Sequence, residues 1–117
     1  MKLKSGTIEM QIHPILTDFL FGLDEEYREH DSELIITSGS EPDPIHGYTS
    51  LHYALPGCAV DIRNWDIGKW NGLMQYDAIV EGASAYCDWH PDLKDGDIDV
   101  VLSVYFCNIF SLLFLRF

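Results

Sequence analysis

Thr49–Asn64 reads TSLHYALPGCAVDIRN, and it is where the chain stops looking generic. In AVDIR, side chains alternate between the two faces of an extended backbone. Val60 and Ile62 then turn toward a core, while Gly57, Ala59 and Asp61 share the other face. Two small residues beside a carboxylate predict an open floor next to a charge. ALPG supplies a turn ahead of the strand, and His52 stands before that turn, two residues after Ser50. One imidazole and one carboxylate are suitable zinc ligands, and a catalytic zinc holds three protein ligands with water in the fourth position. Spacing alone favours a surface histidine in a loop and an aspartate at a strand end.

Working outward, ELIITSG (Glu33–Gly39) reads as a short buried strand ending at a turn, and SEPDPIHGYTS (Ser40–Ser50) as a loop rich in proline. Upstream, Ile12, Ile15, Leu16, Phe19, Leu20, Leu23 and Tyr27 fall at helical spacing, with Pro14 in the first turn. Downstream, DIGKWNGLM (Asp66–Met74) reads as a short helix or turn weakened by Gly68 and Gly72. YDAIVEG (Tyr76–Gly82) reads as a third strand, SAYCDWH (Ser84–His90) as a candidate fourth, and PDLKDGD (Pro91–Asp97) as a break. A helix followed by strands predicts an α+β domain, a small antiparallel sheet packed with an N-terminal helix. The boundaries expected are a domain over residues 1–95 and an apolar C-terminal extension over residues 96–117.

The extension contains Val100–Leu115, sixteen residues of which only Ser103, Asn108 and Ser111 are polar. A spanning helix needs about 20 apolar residues, so a buried strand pair or core segment suits the run better than a membrane anchor.

Composition narrows the partners. Nineteen acidic residues against seven basic ones give a formal charge of −12, and the isoelectric point is near 4.4. Phosphate recognition needs clustered Lys and Arg, which argues against nucleic acid, and the scattered basic residues argue against an anionic membrane surface. Mean hydropathy near zero points to a soluble globular chain. Cys58, Cys87 and Cys107 are odd in number and widely spaced, which predicts small buried hydrophobes rather than a disulfide framework. MKLKSGTIEMQIHP at the start lacks an apolar run behind its lysines, so no secretory signal is expected. Action outside the cytoplasm would then require something else to release the protein.

ELIITSG, HGYTSLHYALPGCAVDIR and YDAIVEG together resemble the zinc D-Ala-D-Ala carboxypeptidase and L-alanyl-D-glutamate endopeptidase family, known from bacterial cell-wall enzymes and phage lysins and sharing a fold with the Hedgehog signalling domain. The family motif is Ser-x-His, a short spacer, then Gly-x-Ala-x-Asp, matched here at Ser50, His52, Gly57, Ala59 and Asp61. The resemblance spans roughly Ile12–Pro91. It implies a zinc-dependent metallopeptidase that cleaves peptidoglycan stem peptides, with His52 and Asp61 as ligands. A catalytically degenerate relative serving as a binding or structural module is the alternative.

The family's third ligand is a histidine shortly after a V-x-E-G-like segment. Read without gaps, its positions fall on Ser84 and Tyr86; with a local insertion, His90 becomes the ligand and Asp88 the general base. On a strand the two registers differ by four residues, about 13 Å at roughly 3.3 Å per residue, so they exclude each other. Relatives often follow the ITSG turn with a substrate-binding arginine, where this chain has SEPDP. Arg63 is the nearest basic candidate, on the Asp61 side if the strand is regular. His46 is a candidate second-shell or substrate-binding residue, or a solvated loop histidine. Trp65, Trp70 and Trp89 are candidates for a groove or for the core. His13 is expected to cap a helix or lie exposed.

Overall fold

The computed structural model describes residues 1–41, 52, 56–70, 72–105 and 108–115, with the backbone alone for residues 103–105 and 108–115. In chain order the elements are β1 (Lys2–Leu3), α1 (Pro14–Glu29), β2 (Ile35–Ser38), β3 (Ala59–Arg63), α2 (Gly72–Trp89), β4 (Ile98–Tyr105) and β5 (Asn108–Leu115). The strands form one sheet in the order β1-β2-β3-β5-β4. The α+β class expected from the sequence is what the chain adopts. The sheet is mixed rather than antiparallel, because β1 runs parallel to β2 while the other pairs are antiparallel.

Helix α1 forms where the apolar spacing places it. His13 is its N-cap, its ring Nδ1 accepting the Ile15 amide at 3.2 Å, and Pro14 opens the first turn, where a missing N–H costs nothing. Leu16, Phe19, Leu20, Leu23 and Tyr27 are buried along one stripe. They join Leu34, Ile35 and Ile36 at β2, Val60 and Ile62 of β3, and Ile79, Ala83 and Cys87 of α2 in one continuous core. Each such aliphatic side chain contributes about 1.5–3 kcal/mol on burial. Because Val60 and Ile62 belong to this core, the helices cover the sheet face those residues present. Asp61 and Arg63 lie on the opposite face.

Two expectations fail between Gly72 and Trp89. YDAIVEG and SAYCDW are successive parts of helix α2, with His90 just beyond its end, not a third and fourth strand. The buried positions are Gln75, Ile79, Ala83 and Cys87, spaced by four. The polar Gln75 interrupts the apolar stripe as read from sequence, and adjacent Ile79 and Val80 imitate a strand. In the fold, Gln75 sits inside the core because its amide donates to the buried Tyr27 hydroxyl. Burial holds that phenol well above its ordinary pKa. Trp70 is also a core residue, packed edge-on to Tyr27 and stacked on His30 at 4.2 Å.

Residues 98–105 and 108–115 form strands of the same sheet. Strand β5 lies between β3 and β4, with Ala59 through Arg63 paired to Phe114 through Phe110. The run expected to be an extension therefore supplies two strands of the sheet, β5 beside β3 and β4 at the edge. Among the described residues, no helix is long and apolar enough to cross a membrane.

Candidate functional site

His52 and Asp61 converge. His52 is 1% exposed, and its Nε2 lies 3.7 Å from Asp61 Oδ1. Its Nδ1 donates to the Gly39 carbonyl at 2.7 Å. With that hydrogen on Nδ1, the neutral ring turns the lone pair of Nε2 to the carboxylate side. A separation of 3.7 Å is too long for a hydrogen bond. Two ligands of one tetrahedral zinc, each about 2.1 Å from the ion, would be roughly 3.4 Å apart. A lone pair and a carboxylate at this range are placed so that they can share a cation, either a proton or a metal ion.

The backbone around the pair is built for close approach. Strand β2 bulges between Ile36 and Ser38, so that Ser38 pairs with Asp61 itself, and a bulge of this kind re-aims the chain beyond it. Gly39 is thereby brought against Glu9, where the Ser40 amide donates to the Glu9 carbonyl at 2.7 Å. Glu41 accepts the Gly39 amide at 2.8 Å and the Glu9 amide at 3.1 Å. Gly57 bonds to the chain on both sides, its amide to Gln11 and its carbonyl to His13. A Cβ there would meet Ser40 Cβ at 3.1 Å and the His52 carbonyl at 3.2 Å. The expected open floor is corrected by this packing: Gly57 is small because three segments meet on it, and Ala59 is fully buried.

Burial pulls the His52 pKa down, but the Asp61 carboxylate, the Gly39 carbonyl and Glu41 outweigh it and leave it raised. A raised folded-state value means that protonated His52 stabilises the fold below the ordinary histidine pKa of about 6.5, and that this contribution is lost as pH rises through the higher folded value. Thermal melts of metal-free protein are expected to show a stability component that declines from pH 6 toward 8. Asp61→Asn should reduce that component, and an unchanged profile in the variant would disprove the assignment.

The remaining expectations divide. Regular β3 puts Arg63 on the same face as Asp61, with its guanidinium 4.5 Å from the Trp65 ring centroid. Ser50 and His46, together with Cys107, lie outside the described residues. Asp88 is exposed on α2, and His90 follows the last helical residue. His90 Nδ1 accepts the Asp92 amide at 3.1 Å, and its ring packs against Tyr86 and Trp89. The strand parity on which the roles of Asp88 and His90 were argued does not apply, since Asp88 lies in helix α2 and His90 directly follows its last residue. Among the described residues, no three His, Cys, Asp or Glu side chains are gathered to hold a metal. Sequence reading missed Gly39 and Glu41; the turn at ITSG marked their place but not their contact with His52.

No family model, curated protein or solved structure matches this chain.

Proposed function

We propose that this chain is a zinc-dependent metallopeptidase acting on peptidoglycan stem peptides, of the D-Ala-D-Ala carboxypeptidase and endopeptidase type with its Hedgehog-like fold. His52 and Asp61 would be two of the zinc ligands. The observation that carries the reading is the 3.7 Å separation of Nε2 and Oδ1, with Nδ1 anchored on a backbone carbonyl. Such an anchor on the distal nitrogen is how metal-binding histidines are oriented and kept in one tautomer. Zinc, when bound, lowers the pKa of its water to about 7 and so supplies a hydroxide nucleophile. The chain's own part is to hold the imidazole and carboxylate rigidly, His52 through Gly39 and Asp61 through the β2–β3 pairing. Arg63, on the same sheet face, is the cation available to a substrate carboxylate.

A second reading is a catalytically degenerate relative serving as a binding or structural module. It is favoured by the helix at Ser84–Trp89, which takes His90 into an aromatic cluster, and by the register of β5. The residue paired with Asp61 is Leu112, flanked by Ser111 and Leu113, none of which ligates zinc. Metal analysis after purification without chelator separates the outcomes. Less than about half an equivalent of zinc, or undiminished zinc in His52→Ala, overturns the peptidase reading and leaves a module without metal. Bound zinc with hydrolysis of purified peptidoglycan that chelator removes and zinc restores supports the peptidase. Bound zinc without hydrolysis leaves the module.

A further inference from the structure

The helix layer carries a second feature, on the side of the sheet away from Asp61. A cleft of about 350 Å³ opens between α1 and α2. Phe19 and Leu23, both almost fully buried, form its apolar floor. Tyr86 packs edge-on against Phe19, with ring centroids 5.4 Å apart, and Trp89 lies beyond it at 5.9 Å from Tyr86. Trp89 is 73% exposed, an unusual degree for the largest apolar side chain. Gly22 and Gly82 line the cleft, one on each helix, and a Cβ on either would meet nothing within 4 Å. Glycine costs a helix about 1 kcal/mol relative to alanine, and no packing constraint requires it at these two positions. What both glycines do is keep the cleft open.

The charge of the cleft is one-sided. Asp18 and Glu26 lie two turns apart on α1 and both line it, and no basic residue does. Asp18 is held in place by the Tyr86 hydroxyl, which donates to Oδ2 at 2.6 Å. Partial burial and the facing carboxylate together keep that hydroxyl protonated. Apolar floor, aromatic wall and paired carboxylates complement an organic cation on an aliphatic stem. The stem would cover Phe19 and Leu23, and the charge would meet the carboxylates and ring faces. With a net charge of −12, another copy of this chain is a poor source of that cation.

We propose that the cleft between α1 and α2 is a docking site for a lysine side chain of a basic peptide partner. The inference does not rest on the zinc reading, and its test needs no catalysis.

The test titrates the full chain with acetyl-Gly-Lys-Gly-amide, and separately with the norleucine analogue, which keeps the stem and removes the charge. Saturable NMR shifts are expected at the Trp89 indole N–H and the Gly82 amide. The lysine peptide should bind about tenfold more tightly than the norleucine one, and the difference should shrink at high salt. Gly82→Leu, whose Cβ would meet nothing within 4 Å and which favours the helix, should fill the cleft and abolish the shifts at an unreduced melting temperature. Asp18→Asn combined with Glu26→Gln should remove the preference for lysine over norleucine while the protein stays folded. Equal binding of the two peptides, undiminished binding to Gly82→Leu, or no saturable shift would each overturn the proposal.

Discussion

Replacing Gly39 with alanine is expected to destabilise the protein by about 3 kcal/mol, the upper part of the range for overpacking a filled site. The added Cβ would overlap the Glu9 carbonyl oxygen and come within 3.0 Å of Met10 Sδ. The first of these is backbone, so no rotamer change relieves it. Gly39 is not among the positive-φ residues, and the penalty is therefore steric rather than conformational. Relief requires β2 and the Glu9 segment to separate, which breaks the Ser40–Glu9 hydrogen bond and loosens the carbonyl that anchors His52. Chemical denaturation should show the loss, with a melting temperature lower by on the order of 10 °C. Gly6→Ala, at an exposed site where a Cβ meets nothing, should change stability by less than about 0.5 kcal/mol. A Gly39→Ala protein as stable as that control would show that the Glu9 contact is not what confines this turn.

His52→Ala is expected to lower zinc affinity roughly a hundredfold or more, because structural zinc sites gain about 10–16 kcal/mol from four ligands, or about 3 kcal/mol each. The readout is competition with a chelator of known affinity at fixed pH. Metal-free stability should be measured alongside, since deleting a side chain that is 1% exposed also leaves a cavity. Asp61→Asn retains the shape and removes the charge, so it should weaken zinc binding with a smaller loss of packing. An affinity change below about fivefold in His52→Ala would show that the imidazole is no ligand. The 3.7 Å pair would then be a buried acid–base contact whose cation is a proton.

Helix α1 and strands β2 and β3 were legible because their patterns are local. Seven apolar residues at helical spacing can bury only as a helix, and AVDIR alternates as one face of a sheet demands. The meeting of His52 and Asp61 was legible for the same reason: they are nine positions apart in the sequence, so the chain has few ways to bring them together. Helix α2 was not legible. Its buried stripe includes Gln75, whose place in a core depends on the hydroxyl of Tyr27, 48 positions away. No pattern along the chain contains that partner. The misreading carried Asp88 and His90 with it, since residues at alternate positions share a face on a strand but not on a helix.

The apolar tail shows the same limit from the other side. A continuous run such as Val100–Leu115 fits a buried strand, a core helix or an anchor, and periodicity cannot separate them. Its fate is set by β3, which offers hydrogen-bonding groups from Ala59 to Arg63 that only a distant segment can satisfy. Local sequence thus determined the class of fold, the first helix and the side chains able to share a cation, because those depend on spacing within a few residues. Only tertiary structure decided that Gly72–Trp89 is helical, that the tail lies inside the sheet, and that His90 joins the aromatic cluster at the end of α2. Each of these depends on a partner far away in the chain, and the free energy that selects it comes from that contact.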